Sequence, residues 1–231
     1  MIKKLLKLFF INKCAHCDKE TDSVLCKDCA RPVRILNFGL CQRCGKPIKS
    51  CVCKALDKSV IRVISAYKFE DPTICSLIYK LKSKGSKKVV GFLSAAMLEK
   101  LRDEYSGISL DFVTYTPVSN AKLRQKGFDH AELLAKEIAE ALKLPLICPP
   151  FKRRHNPAQK LLSRLGRRDN ADSAYRLKPE QKVSGTALLI DDVTTTGATL
   201  SACAQLLCRA GAGRVYCLTA ATSALKKIGT P

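Results

Sequence analysis

An apolar run, Ala187-Leu188-Leu189-Ile190, ends on two consecutive acids and a string of small hydroxyl residues: Asp191-Asp192-Val193-Thr194-Thr195-Thr196-Gly197-Ala198-Thr199. The run reads as a buried parallel strand, because such strands are apolar on both faces. Residues 200–207, Leu-Ser-Ala-Cys-Ala-Gln-Leu-Leu, read as a helix. Acids at a strand's carboxyl end, followed by hydroxyls where a helix begins, restrict the chain to an α/β architecture with a ligand site at that edge. The N–H groups and dipole of a helix N-terminus attract phosphate, and threonine hydroxyls add further donors. Carboxylates accept hydrogen bonds from sugar hydroxyls, so the pattern predicts a sugar-phosphate site. Two other phosphate loops are absent from the sequence: it has no G-x-x-x-x-G-K-[ST], and no G-x-G-x-x-G with a ribose-binding acid beyond it.

The chain upstream alternates in the same way. Residues 60–67 are β-rich, and residues 72–82 carry Ile74, Leu77, Ile78 and Leu81 on one helical face. Helical spacing continues over 89–105, a strand is expected over 111–116 and stops at Pro117, and 131–142 reads as an amphipathic helix. A short strand around 146–148, the strand at 187–190, a helix to Ala210 closed by Gly211, and a last strand over 214–219 complete the series. Strand–helix alternation predicts a parallel sheet wound by helices on both faces, with ligands at the strand carboxyl ends. Three basic segments are expected at that edge. Residues 116–128 contain Lys122, Arg124 and Lys126 and follow a strand, as a pyrophosphate-binding loop would. Residues 151–175 contain Arg153, Arg154, Arg164, Arg167 and Arg168, interleaved with Asn156, Gln159 and Asn170, and are long for an idle loop. The third segment holds Lys80, Lys82, Lys84, Lys87 and Lys88.

Eight of the thirteen cysteines lie before residue 54 in metal-ligand spacing: Cys14-x-x-Cys17, Cys26-x-x-Cys29, Cys41-x-x-Cys44 and Cys51-x-Cys53. Sequential pairing gives one tetrahedral zinc on Cys14, Cys17, Cys26 and Cys29, and a second on Cys41, Cys44, Cys51 and Cys53. Four thiolates leave no open position, so both sites are expected to be structural. His16 reads as a turn residue inside the first knuckle. Cys75, Cys148, Cys203, Cys208 and Cys217 have apolar neighbours and read as core. The expected division is a zinc module over 1–57 and the α/β domain over 58–231.

The formal charge is +21, with 41 Lys and Arg against 20 Asp and Glu. Two zinc tetrathiolates would lower it to about +17, still a surface suited to polyanions. Lys7 interrupts the apolar start of residues 1–11, and no small-residue cleavage site follows. That segment reads as an amphipathic helix docking on the protein. Cysteines in metal spacing without an export signal point to reduced thiols and the cytoplasm, with peripheral attachment to an anionic membrane face left open.

The loop at 191–199 resembles the phosphoribosyl-pyrophosphate (PRPP) signature of type I phosphoribosyltransferases. The whole chain resembles the ComF family of competence proteins, which joins a double zinc ribbon to a type I phosphoribosyltransferase-like domain. The resemblance is carried by the cysteine knuckles, Tyr67-Lys68-Phe69, Ile78-Tyr79-Lys80-Leu81-Lys82, the stretch from Pro117-Val118 to Gly127-Phe128, Asn156-Pro157-Ala158-Gln159-Lys160-Leu161, and Arg167-Arg168-Asp169-Asn170. Family members usually carry Asn-Gln where Asp129 and His130 stand, and Cys51-x-Cys53 is one residue short of a regular knuckle.

The resemblance implies handling of incoming single-stranded DNA during natural transformation, on the cytoplasmic side of the inner membrane. It also implies a pocket for PRPP with Mg²⁺. Asp191 and Asp192 would engage the ribose hydroxyls; Thr194, Thr195, Thr196, Gly197, Ala198 and Thr199 would cradle the 5′-phosphate. The basic residues of 122–126 and 153–168 would meet pyrophosphate or DNA, with Tyr79, Phe128 or Tyr175 offered for base stacking. Two alternatives stay open at this point: an active phosphoribosyltransferase using PRPP and Mg²⁺, and a zinc-ribbon scaffold for an uptake helicase or recombination proteins. No catalytic residue is assigned.

Overall fold

A computed structural model of the chain describes residues 12–37, 40–105, 107–153, 174–178 and 180–223. After a four-residue α1 (Lys27–Ala30) come β1 (Val60–Lys68), α2 (Pro72–Lys84), α3 (Lys87–Glu104), β2 (Phe112–Tyr115), α4 (Asn120–Lys126) and α5 (His130–Leu142). Then follow β3 (Phe151–Arg153), β4 (Tyr175–Leu177), β5 (Gly185–Thr194), α6 (Ala198–Arg209) and β6 (Ala212–Thr222). Four strands form a parallel sheet in the order β1-β6-β5-β2, while β3 and β4 pair antiparallel. The α/β architecture and its parallel sheet are those expected from the alternation.

Local chemistry sets the element ends. Asp71 accepts from the Thr73 and Ile74 amides at 2.9 and 3.1 Å, Pro72 fills the first helical position, and Gly85 closes α2 in the left-handed region. Asp129 caps α5 through the Ala131 amide at 3.0 Å. On β5 the side chains alternate: Leu188 and Ile190 pack with α2, α3 and α5, whereas Ala187 and Leu189 pack with α6, Phe151 and Tyr175. The second cysteine group contributes Cys44, Val52 and Leu56 to that second core.

Four local expectations change. β5 does not stop at Ile190 but carries both acids within it, because β6 is long enough to pair Asp191 with Thr219, Val193 with Ala221 and Thr194 with Thr222. β6 accordingly spans Ala212–Thr222 rather than 214–219. Residues 146–148 make a single parallel bridge, Val113 to Leu146, and prolines at 145, 149 and 150 deny the ladder further donors. The stretch 116–128 is not an open loop: Ser119 caps the short helix α4, and Gly127 ends it. Residues 1–11, the Asn156–Asn170 motifs, and Arg154, Arg164, Arg167 and Arg168 lie outside the described residues. No helix among the described residues is long and apolar enough to cross a membrane.

Candidate functional site

Because the acids lie inside a strand, they project to opposite sides of the sheet. Asp191 faces the α6 side, above Cys203 and Cys217 and bonded to the Thr116 hydroxyl. Burial, then the adjacent Asp192 charge, raises the Asp191 carboxyl from 3.8 to about 8. Asp192 faces the α2 and α5 side. Its Oδ2 lies 2.6 Å from Lys82 Nζ, and its Oδ1 lies 3.8 Å from His130 Nε2. The ammonium approaches off the line of a hydrogen bond, so this buried oxygen has a charge beside it but no aligned donor. Burial lowers the His130 pKa despite the nearby acids, and its imidazole is neutral at neutral pH.

The turn beyond β5 carries Thr194, buried, and Thr195, exposed; Thr196 Oγ1 accepts from the Ala198 amide at 3.3 Å. Gly197 takes φ +80° at the start of α6, and Leu56 Cδ2 occupies the place a Cβ would need, 2.3 Å from it. Ala198 and Thr199 open the helix half-buried. Of the basic candidates, Arg124 and Lys126 are exposed on α4, and Lys122 sits on the same helix. Lys126 Nζ donates to the Lys82 carbonyl at 2.5 Å, which joins α4 to the end of α2 beside Asp192. Arg153 pairs with Ser119 in a parallel bridge, at the start of α4. The described basic candidates thus gather around one rim of the sheet.

Two sequence expectations fail on packing. Tyr175 is buried edge-on against Phe151, 5.9 Å between ring centroids, and Arg153 lies over its ring, so it offers no face for a base. Cys148 is exposed, not core, and Cys75 and Cys208 are only half-buried, while Cys203 and Cys217 are buried as expected. Tyr79 is 62% exposed, its ring tilted against Phe69 with centroids 6.4 Å apart. Lys82 belongs to the third basic segment expected at this edge and Thr116 begins the first, but their individual contacts with the acids are not read from sequence; the irregular Asp129-His130 step is the one sequence sign of His130.

The eight cysteines form the two expected groups, Cys14, Cys17, Cys26 and Cys29, and Cys41, Cys44, Cys51 and Cys53, with each group's sulfurs within 4.8 Å of one another. Sulfurs 2.3 Å from a zinc at tetrahedral angles stand about 3.8 Å apart. Observed separations are 3.7 Å for Cys17–Cys26, 3.3 Å for Cys41–Cys53 and 3.7 Å for Cys44–Cys51. The His16 and Cys26 amides point at Cys14 Sγ, 3.5 and 3.3 Å away, as amides do around a thiolate. The donor sets fit structural zinc, and His16 is in neither. A separate cavity of about 170 Å³ lies between the second group and β1. There Glu104 accepts from Lys100 at 2.8 Å and is bonded to Arg62, so two cations share one carboxylate in its lining.

No family model matches the chain. It is similar to DNA utilization protein YhgH of Salmonella typhimurium, 31% identical over 206 residues, covering 84% of this chain and 89% of that protein. It is likewise similar to DNA utilization protein YhgH of Escherichia coli strain K12, 28% identical over 214 residues, covering 89% and 88%. Competence protein F of Haemophilus influenzae is 24% identical over 221 residues, covering 88% and 93%.

Proposed function

The chain belongs to the ComF family of competence proteins, alongside the DNA utilization protein YhgH, and from this and the rim geometry we propose that it acts in DNA uptake, handling single-stranded DNA and holding a phosphoribosyl ligand such as PRPP. The observation that carries the ligand half is Asp192: buried, at the carboxyl end of a central strand, with an oxygen that lacks an aligned donor. A sugar hydroxyl supplies that donor. Asp191 points to the other side of the strand, where it keeps its proton near neutrality and bonds the Thr116 hydroxyl, so the sugar contact falls to Asp192. Thr195, Thr196, Thr199 and the first amides of α6 receive the 5′-phosphate. Mg²⁺ would be held chiefly by the pyrophosphate and the ribose hydroxyls, near the acids, and would offset the pyrophosphate charge.

The DNA half rests on the outer surface. Lys84, Lys87 and Lys88 around the α2–α3 junction, with Arg124 and Lys126 on α4, make a cationic face next to exposed Tyr79. The working division is a zinc-bearing module over 1–57 on a ligand-binding domain over 58–231. Titrating PRPP with Mg²⁺ and a labelled single strand, alone and in competition, tests both halves. Binding of each is expected. A protein that takes neither contradicts the reading, and pyrophosphate release with an added amine or base would turn it into a transferase.

A further inference from the structure

The two cysteine groups touch different parts of the molecule. The first buries Cys14 and Leu25 in the core shared with α2 and α3 and adds exposed contacts to those helices: Asp18 pairs with Lys80 at 3.2 Å, and Lys88 donates to Asn12. The second is built into the rim itself. Arg43 stands between Cys41 and Cys44 of its knuckle, and its guanidinium donates to the Cys53, Leu56 and Asp57 carbonyls at 3.3, 3.4 and 3.0 Å. That fan of bonds fixes the backbone leaving the last cysteine. Leu56, buried, then drops its methyl into the gap over Gly197. The Asp57 amide donates to Ser201 Oγ at 3.0 Å, and Gln205 Nε2 donates to Asp57 Oδ2 at 2.8 Å, so one residue grips two successive turns of α6.

The same knuckle reaches the rim from a second direction. Lys46, two residues beyond Cys44, is fully buried and donates to Thr222 Oγ1 at 2.9 Å and to the Ser223 carbonyl. The Ser223 amide in turn donates to the Thr194 carbonyl at 3.0 Å, at the residue where β5 gives way to the threonine turn. The threonine turn is thus held at its entry by the Lys46 relay, and at Gly197 and the first turns of α6 by Leu56 and Asp57. Both holds originate in the segment that the second metal group closes.

We propose that Leu56 and Asp57 are positioning residues for the threonine turn, and that metal occupancy at Cys41, Cys44, Cys51 and Cys53 fixes the geometry of that turn. The second zinc is then part of the ligand site's framework although it touches no ligand. The consequence for ligand affinity rests on the phosphate-binding reading of residues 194–199; the mechanical coupling does not.

The test is amide hydrogen exchange over 194–201 in the zinc-loaded full chain, with metal content measured and β2 amides as the internal control. Leu56→Ala should keep both zincs yet exchange at least about tenfold faster over 195–201, and Leu56→Met should restore protection. Cys51→Ser should lose one zinc and expose the same amides while β2 stays protected. Unchanged exchange over 195–201 in Leu56→Ala overturns the proposal, as does a protected turn in Cys51→Ser lacking its zinc. Faster exchange in Leu56→Ala from a wild type that does not bind PRPP would sustain the clamp and refute the ligand reading.

Discussion

Asp191 and Asp192 are adjacent in the chain and separated by the sheet: one meets thiols, a buried phenol and the Thr116 hydroxyl, the other a lysine and a neutral imidazole. The first difference has a pH signature. Between its ordinary value of 3.8 and its folded value of about 8, the Asp191 carboxyl keeps a proton in the native state that the unfolded chain has released. The unfolded state binds fewer protons across that window, so this residue's contribution to stability falls as pH rises and levels off above about 8. Asp191→Asn cannot ionise. The melting temperature of that variant relative to wild type should therefore climb through the window and then plateau; a pH-independent difference would contradict the burial argument. Lys82→Met removes the ammonium that lies 2.6 Å from Asp192 Oδ2. Because the lysine is partly exposed, the expected loss is only about 1–2 kcal/mol, read from denaturant midpoints.

At the scale of elements, Asp129 joins two pieces of the rim. One oxygen caps α5, and the other accepts from the Val118 amide at 2.7 Å, tying the segment after β2 to the helix that carries His130. Asp129→Ala should cost about 1–3 kcal/mol in urea unfolding, more than a cap alone, since it also leaves the Val118 amide without its partner. A loss equal to that of a solvent-exposed acid would mean the tether carries no weight. The helices were legible in sequence because their signals are local: Asp71-Pro72 opens α2, Gly85 closes it, and apolar residues recur at helical spacing. The true length of β5 was not legible. Whether Asp191 and Asp192 end a strand or lie within it depends on how far β6 extends beside them, and nothing within the acid–threonine stretch encodes that. The bridge at Leu146 illustrates the same limit, since a ladder needs partners the local pattern does not reveal.

For the molecule as a whole, lysines and arginines of α2, α3 and α4 carry part of the formal charge of +21. If ~4 of the lysines and arginines there meet phosphates, the affinity for a single strand should fall with salt at a log–log slope of about −3. A flat salt response would remove that face from DNA binding. The candidate site was legible as a loop but not as an assembly. The stretch 191–199 announces a sugar-phosphate site in its residue types, whereas Leu56 reaches it across more than a hundred residues of chain, and only the folded packing brings it there. The cysteine spacing, in contrast, gave both metal groups outright, because each knuckle is a local object. The central measurement is calorimetric titration of PRPP with Mg²⁺ into the zinc-loaded wild type and into the Asp191→Ala, Asp192→Ala double variant. Saturable binding to the wild type and none to the variant is the expected result. Equal affinity in both, with the variant still folded, would show that the acidic pair at the end of β5 does not hold the ligand.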